Sequence, residues 1–269
     1  MKSLSWTPIK HAFASVALVA ACSTTAWSAD LPDFTFTPTA VGLTGAPVTA
    51  DNILVSDFSS VTFTGPTTFA EQGFLSITGF QLGGVNVVAG GLNSTYSLYF
   101  SFNGTGHTTL NAGSNPNTTV TAGVFDTLNY SLIGASGNST FGFMGTTPTV
   151  SSVAPQTLAT GSLINGTVVT SPADGNTAFV PSANATLTFV QAAGKQGFFS
   201  PQPFYNMAFS AFTNPVSTVT TFAGGFIVNN GGGALNFATA VPEPETYALM
   251  LAGLGLMGFV ARRRKLNTI

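Results

Sequence analysis

The sequence predicts an all-β protein: an antiparallel, sandwich-like body with an export leader in front and a short apolar helix behind. Three observations carry this. Short runs rich in Phe, Val, Ile and Thr alternate apolar with polar residues, the period of a strand. Glycine pairs and Asn-Gly or Asp-Gly steps punctuate those runs and supply the positive φ that tight hairpins need. Helical periodicity is almost absent from Asp30 to Ala240, and no repeat of fixed period points to a solenoid or propeller.

Residues 1–28 read as a signal peptide. Lys2, Lys10 and His11 give the polar start, Ala12–Ala21 the short apolar stretch, and Ala26-Trp27-Ser28 small residues ahead of a cut between Ser28 and Ala29. Val19-Ala20-Ala21-Cys22 offers a second reading, a lipobox whose Cys22 is lipidated and becomes the new N-terminus.

Residues 29–240 form the exported body. Its clearest strand is Ser94–Asn103, where Tyr96, Leu98, Phe100 and Phe102 alternate with smaller or polar residues. Tyr99 breaks that alternation, which places it on a partly covered outer face. Further strands are expected at 34–37, 53–58, 61–64, 74–82, 128–133, 140–144, 158–163, 167–170, 185–190, 206–213, 216–222 and 225–228. Gly83-Gly84, Gly90-Gly91, Asn103-Gly104, Asn165-Gly166 and Asp174-Gly175 are expected turns, and Asn229–Gly233 a flexible run.

Residues 241–269 are organised differently. Pro242-Glu243-Pro244 is stiff and cannot be helical, because neither proline donates a backbone hydrogen bond and each biases its predecessor toward extended geometry. The apolar run Tyr247–Ala261 would span about 22 Å as a helix, short of a ~30 Å hydrocarbon core. Arg262, Arg263, Arg264 and Lys265 would hold its end on the cytoplasmic side, leaving the body outside.

Those three parts, in that order, resemble the PEP-CTERM sorting signal of exported Gram-negative bacterial proteins, also catalogued as an ice-binding-protein C-terminal domain. The resemblance implies recognition and cutting by an exosortase-type membrane protease, with membrane attachment through the C-terminal helix beforehand. Within the body, Asp51–Ser59, Gly91–Tyr96, Tyr130–Gly134 and Phe204–Phe209 resemble the flocculation-associated PEP-CTERM proteins of floc-forming bacteria. That likeness implies a non-enzymatic surface or matrix protein acting through exopolysaccharide or self-association, and it supplies no catalytic residues.

Composition narrows the function classes. Of the seven cations only Lys195 lies in the body, against Asp30, Asp33, Asp51, Asp57, Glu71, Asp126 and Asp174. Without arginine or a basic cluster the body is no nucleic-acid surface. Cys22 is the single cysteine, so the body needs no disulfide.

No catalytic, cofactor or metal site is expected. Asp51 and Asp57 flank one apolar run and resemble a glycosidase pair, yet strand ends and turns use Asp in the same way. Asp126 and Asp174 are read likewise, and His107 falls in an expected loop without an acidic sequence neighbour. Phe198-Phe199, Phe204-Tyr205, Phe209 and Phe212 are expected to fill the core, with an exposed sugar-stacking strip as the alternative reading. Thr35/Thr37, Thr62/Thr64 and Thr186/Thr188 are too irregular for an ice-binding ladder. A carbohydrate-binding module or carbohydrate-active enzyme is the alternative function.

Overall fold

A computed structural model of the chain describes residues 31–238 apart from 174, 176 and 203, and all side chains there except those of residues 207 and 209. The leader with Cys22, Ser28 and Ala29 lies outside the described residues, as does the tail with its expected helix. Among the described residues no helix is long and apolar enough to cross a membrane.

The strands in chain order begin with β1 (Phe34–Phe36), β2 (Val48–Ala50), β3 (Asn52–Phe63), β4 (Thr68–Leu82) and β5 (Val85–Val87). Next come β6 (Tyr96–Leu110), β7 (Thr121–Met144), β8 (Thr147–Ala173), β9 (Ala178–Thr188) and β10 (Val190–Gln191). The last are β11 (Phe199–Ser200), β12 (Met207–Thr213), β13 (Val219–Phe222) and β14 (Gly225–Ala238).

The expected all-β, antiparallel body is present, and its main sheet closes on itself. The order runs β8-β7-β6-β4-β3-β14-β12-β9, and β8 also pairs with β9 from Leu163 to Ala173. β8 can serve two partners because it is long: it meets β7 from Thr147 to Thr170. Closure into a barrel removes the free edges that an open sheet would present. Alternation decides which residues face inward. On β3, Ile53, Val55, Asp57, Ser59 and Val61 are buried while Asn52, Leu54, Ser56 and Phe58 are only partly so.

A small sheet in the order β11-β1-β2 caps one end of the barrel. Phe34, Phe36, Phe198 and Phe199 are fully buried there against Phe80, Phe189 and Phe237. Edge-to-face pairs hold the cluster, with Phe34–Phe237 centroids at 5.1 Å and Phe189–Phe237 at 4.9 Å. The aromatic crowd from Phe198 onward thus fills the core: Phe204, Tyr205 and Phe212 pack against the same cluster. Phe209 has no described side chain.

The far ends of β7 and β8 leave the barrel as a hairpin and fold back over its outside. Phe141 stacks on Phe58 at 5.3 Å and meets Tyr99 edge-on at 5.4 Å. Ser139 bonds Ser97 at 2.6 Å, and Ser152 bonds the Tyr99 hydroxyl at 3.1 Å. This second layer explains why outward-facing Tyr99 is buried, as its break in the alternation implies.

Several expected boundaries are corrected. Residues 128–133 and 140–144 belong to one strand, β7, and 158–163 and 167–170 to β8, because bulges absorb the breaks in alternation. Asn103-Gly104 and Asn165-Gly166 lie inside β6 and β8 and turn nothing. Residues 216–218 form a 3-10 turn ahead of β13. Asn229–Gly233 is no flexible run but the middle of β14, paired with β3 and β12. Its glycines are there for space: a Cβ on Gly231 would overlap the Asn214 side chain, and one on Gly233 the Phe212 ring.

Candidate functional site

The barrel is not filled to its open end. Beyond the aromatic core lies a cavity of about 140 Å³, walled by inward residues of all eight ring strands. Its lining is mostly apolar, with Phe69, Phe125 and Phe226 toward the uncapped end and Phe100, Leu187 and Leu235 deeper. Two carboxylates, Asp57 from β3 and Glu71 from β4, face into it.

Inward alternation puts them there. Asp57 follows Ile53 and Val55 on the buried face of β3, and Glu71 follows Phe69 on β4, directly across from Val61. Asn214, just past β12, reaches in beside Gly231 and is itself 4% exposed. Its amide donates to Asp57 Oδ2 at 3.3 Å and its carbonyl oxygen accepts from the Gly232 N–H at 3.2 Å. Asp57 Oδ1 and Ser59 Oγ are both buried, and although the hydroxyl lies near the carboxyl neither atom makes a well-aligned hydrogen bond.

Electrostatics follow from this setting. Burial pushes the Asp57 carboxyl up from 3.8 to about 7, although Ser59 and Asn214 favour its charged form. Glu71 rises from 4.5 to about 8, first through burial and next through the neighbouring Asp57 charge. Glu71 is only partly buried, and it borders the outer groove that holds Gln72 and Asn103 as well as the cavity. Among the described residues Lys195 is the only Lys or Arg, and its ammonium donates to Gln156 Oε1 at 2.5 Å, so no described cation compensates the pair.

The sequence-predicted candidates separate. Asp51 does not approach Asp57; it accepts from the Gly83 N–H at 2.7 Å and ties a hairpin, the ordinary use of a strand-end Asp. Asp126 pairs instead with His107, which lies in β6 and not in a loop: Nδ1 to Oδ1 is 2.8 Å, on an exposed face. No described residues form a group of three or more His, Cys, Asp or Glu able to hold a metal. Sequence reasoning missed Glu71, whose signal was its place in the inward set Phe69, Glu71, Gly73, Leu75. It also missed Asn214, whose role depends on a contact across the barrel.

The outer face carries a second feature. Gln72, Asn103 and Asn129 stand side by side on β4, β6 and β7, in register and exposed. Ser101 and Ser131 form the row on one side, Thr105 and Thr127 that on the other, the last two bonded at 2.8 Å. Two adjoining grooves of about 340 and 430 Å³ share Gln72 and Asn103, and Phe74 and Pro148 flank the first.

Fold and surface together define a closed-barrel protein with a nearly ion-free exterior. The family model described as the PEP-CTERM protein-sorting motif matches residues 240–265, so the chain carries that motif. It is an exported, surface-directed protein of the exosortase-processed kind. No curated protein and no solved structure matches the chain.

Proposed function

We propose that the exported body is a non-enzymatic surface or matrix protein that binds exopolysaccharide and thereby holds cells together in flocs or biofilm. The carrying observation is the outer row Gln72–Asn103–Asn129. Neighbouring strands set these amides ~4.8 Å apart, and each offers two donors and an acceptor. Hydroxyl rows on both sides extend the pattern without adding charge. Such a surface suits a neutral, hydroxyl-rich polymer and offers nothing to a polyanion.

The non-enzymatic reading is supported by where the two neighbouring carboxylates lie. Asp57 and Glu71 face a cavity of about 140 Å³ inside the barrel, and of the two only Glu71 also borders an outer groove. A polymer lying along the amide row therefore does not meet the two as a pair.

The test is retention of the exported protein on immobilised exopolysaccharide from its host. A variant carrying Gln72→Ala, Asn103→Ala and Asn129→Ala is expected to fold normally and lose most of that retention. Unchanged retention by the triple variant, or a deletion strain that settles like its parent, refutes the reading.

A further inference from the structure

We propose that the barrel interior is a second binding site, specific for a small organic ammonium ion: an amine on an apolar body about the size of one aromatic ring. The site is separate from the outer amide row and does not depend on the role given to that row. Size sets the first limit. A cavity of about 140 Å³ is close to the ~150 Å³ apolar cavity known to hold benzene.

The polar groups set the second. Asn214 occupies Asp57 Oδ2, which leaves Oδ1 as a buried acceptor without a well-aligned donor, and the nearby Ser59 hydroxyl is free to turn toward a ligand. Glu71 adds a second carboxyl facing the same space. Two buried carboxyls uncompensated by a described cation need either protons or a cation from outside. An ionised carboxylate only accepts hydrogen bonds, so the ligand atom between them must donate, as an ammonium does with two or three N–H groups.

Other ligand classes fit less well. A calcium ion takes six to eight oxygen ligands, and this lining is dominated by Phe, Leu and Val. A fatty acid or other anion would add a third negative charge to the pair. A sugar would leave most of its hydroxyls against apolar walls without partners. Entry is at the end opposite the three-stranded cap, where Phe63 is 53% exposed and Thr108, Thr121 and Thr170 line the cavity. Because the empty site holds protons near neutrality, an incoming ammonium displaces at least one of them to solvent.

Calorimetric titration of the exported protein with benzylamine tests this, using benzyl alcohol, benzoate and calcium chloride as comparison probes. Benzylamine should bind at least tenfold more tightly than benzyl alcohol, and more tightly at pH 8 than at pH 5. Its apparent binding heat should change with the ionisation enthalpy of the buffer, reporting proton release. Asp57→Asn and Glu71→Gln should each weaken binding at least tenfold, whereas Gln72→Ala on the outer face should not change it. Folding of each variant is checked by its far-UV spectrum. Equal binding of benzylamine and benzyl alcohol overturns the proposal, as does calcium binding that is lost in Asp57→Asn. Absence of benzylamine binding at millimolar concentration, or binding indifferent to both carboxylate substitutions, overturns it as well.

Discussion

Replacing Asp57 by Asn should make the protein more stable, and only where the pH is high enough to matter. In the folded chain this carboxyl titrates near 7 against an ordinary 3.8, because burial disfavours its charge. Between those two values the folded state holds a proton that the unfolded state has released. Stability contributed by the protonated group is therefore complete below 3.8 and is lost as pH rises through 7. At about 1.4 kcal/mol per pH unit, a rise of about three pH units amounts to ~4 kcal/mol lost by pH 8. Asparagine matches the side chain in shape, can still accept from Asn214, and carries no charge to desolvate. It also removes the charge that helps raise Glu71, so Glu71 titrates lower in the variant. Urea unfolding of the exported protein, followed by far-UV circular dichroism at pH 4, 6 and 8, measures the effect. Near pH 4 variant and wild type should agree within ~1 kcal/mol. By pH 8 the variant should be ahead by ~4 kcal/mol, or about 2 M in urea midpoint at a slope of ~2 kcal/mol/M. Stability curves that run parallel with pH, or a variant less stable at pH 8, would show that burial of Asp57 does not govern its protonation.

Three further outcomes follow from packing. Gly231→Ala should destabilise by ~2 kcal/mol or more, since the methyl overlaps Asn214 and forces it off Asp57; adding Asn214→Ala should recover part of that loss in a double-mutant cycle. Phe199→Ala should cost ~3–5 kcal/mol, read by the same urea titration, because this ring is fully buried and touches Phe34, Phe204 and Phe237 in the end cap. Phe141→Ala should loosen the folded-back hairpin while leaving the barrel intact, so amide exchange should speed up around Ser139–Ser152 and not in β3 or β14.

Much of the body was legible from local pattern. Alternation through Tyr96, Leu98, Phe100 and Phe102 marks a strand whatever its neighbours are, and the intrusion of Tyr99 marks a covered outer face. The aromatic crowd near Phe198 is expected to fill a core, and Phe198 and Phe199 are fully buried. Glycine misled where its reason was space and not turning: Gly104 lies against the Thr127 carbonyl of the next strand, and Gly231 makes room for Asn214. A glycine reads identically in sequence whether it supplies a positive φ or a missing Cβ. Asp51 and Asp57 could be read as partners because they flank one apolar run, yet one ties a hairpin and the other looks into the barrel.

The sequence by itself determined the all-β class, the ion-poor surface chemistry and the sorting address at residues 240–265, for each of these is written in composition or in contiguous residues. Tertiary structure alone decided that the sheet closes, that Glu71 is the partner of Asp57, that Asn214 reaches the pair, and that Gln72, Asn103 and Asn129 fall in one row. The physical reason is range. Strand period and export signals are local properties of the chain, whereas closure and cross-barrel contacts depend on register between segments far apart in sequence, as between Asp57 and Asn214, 157 residues apart.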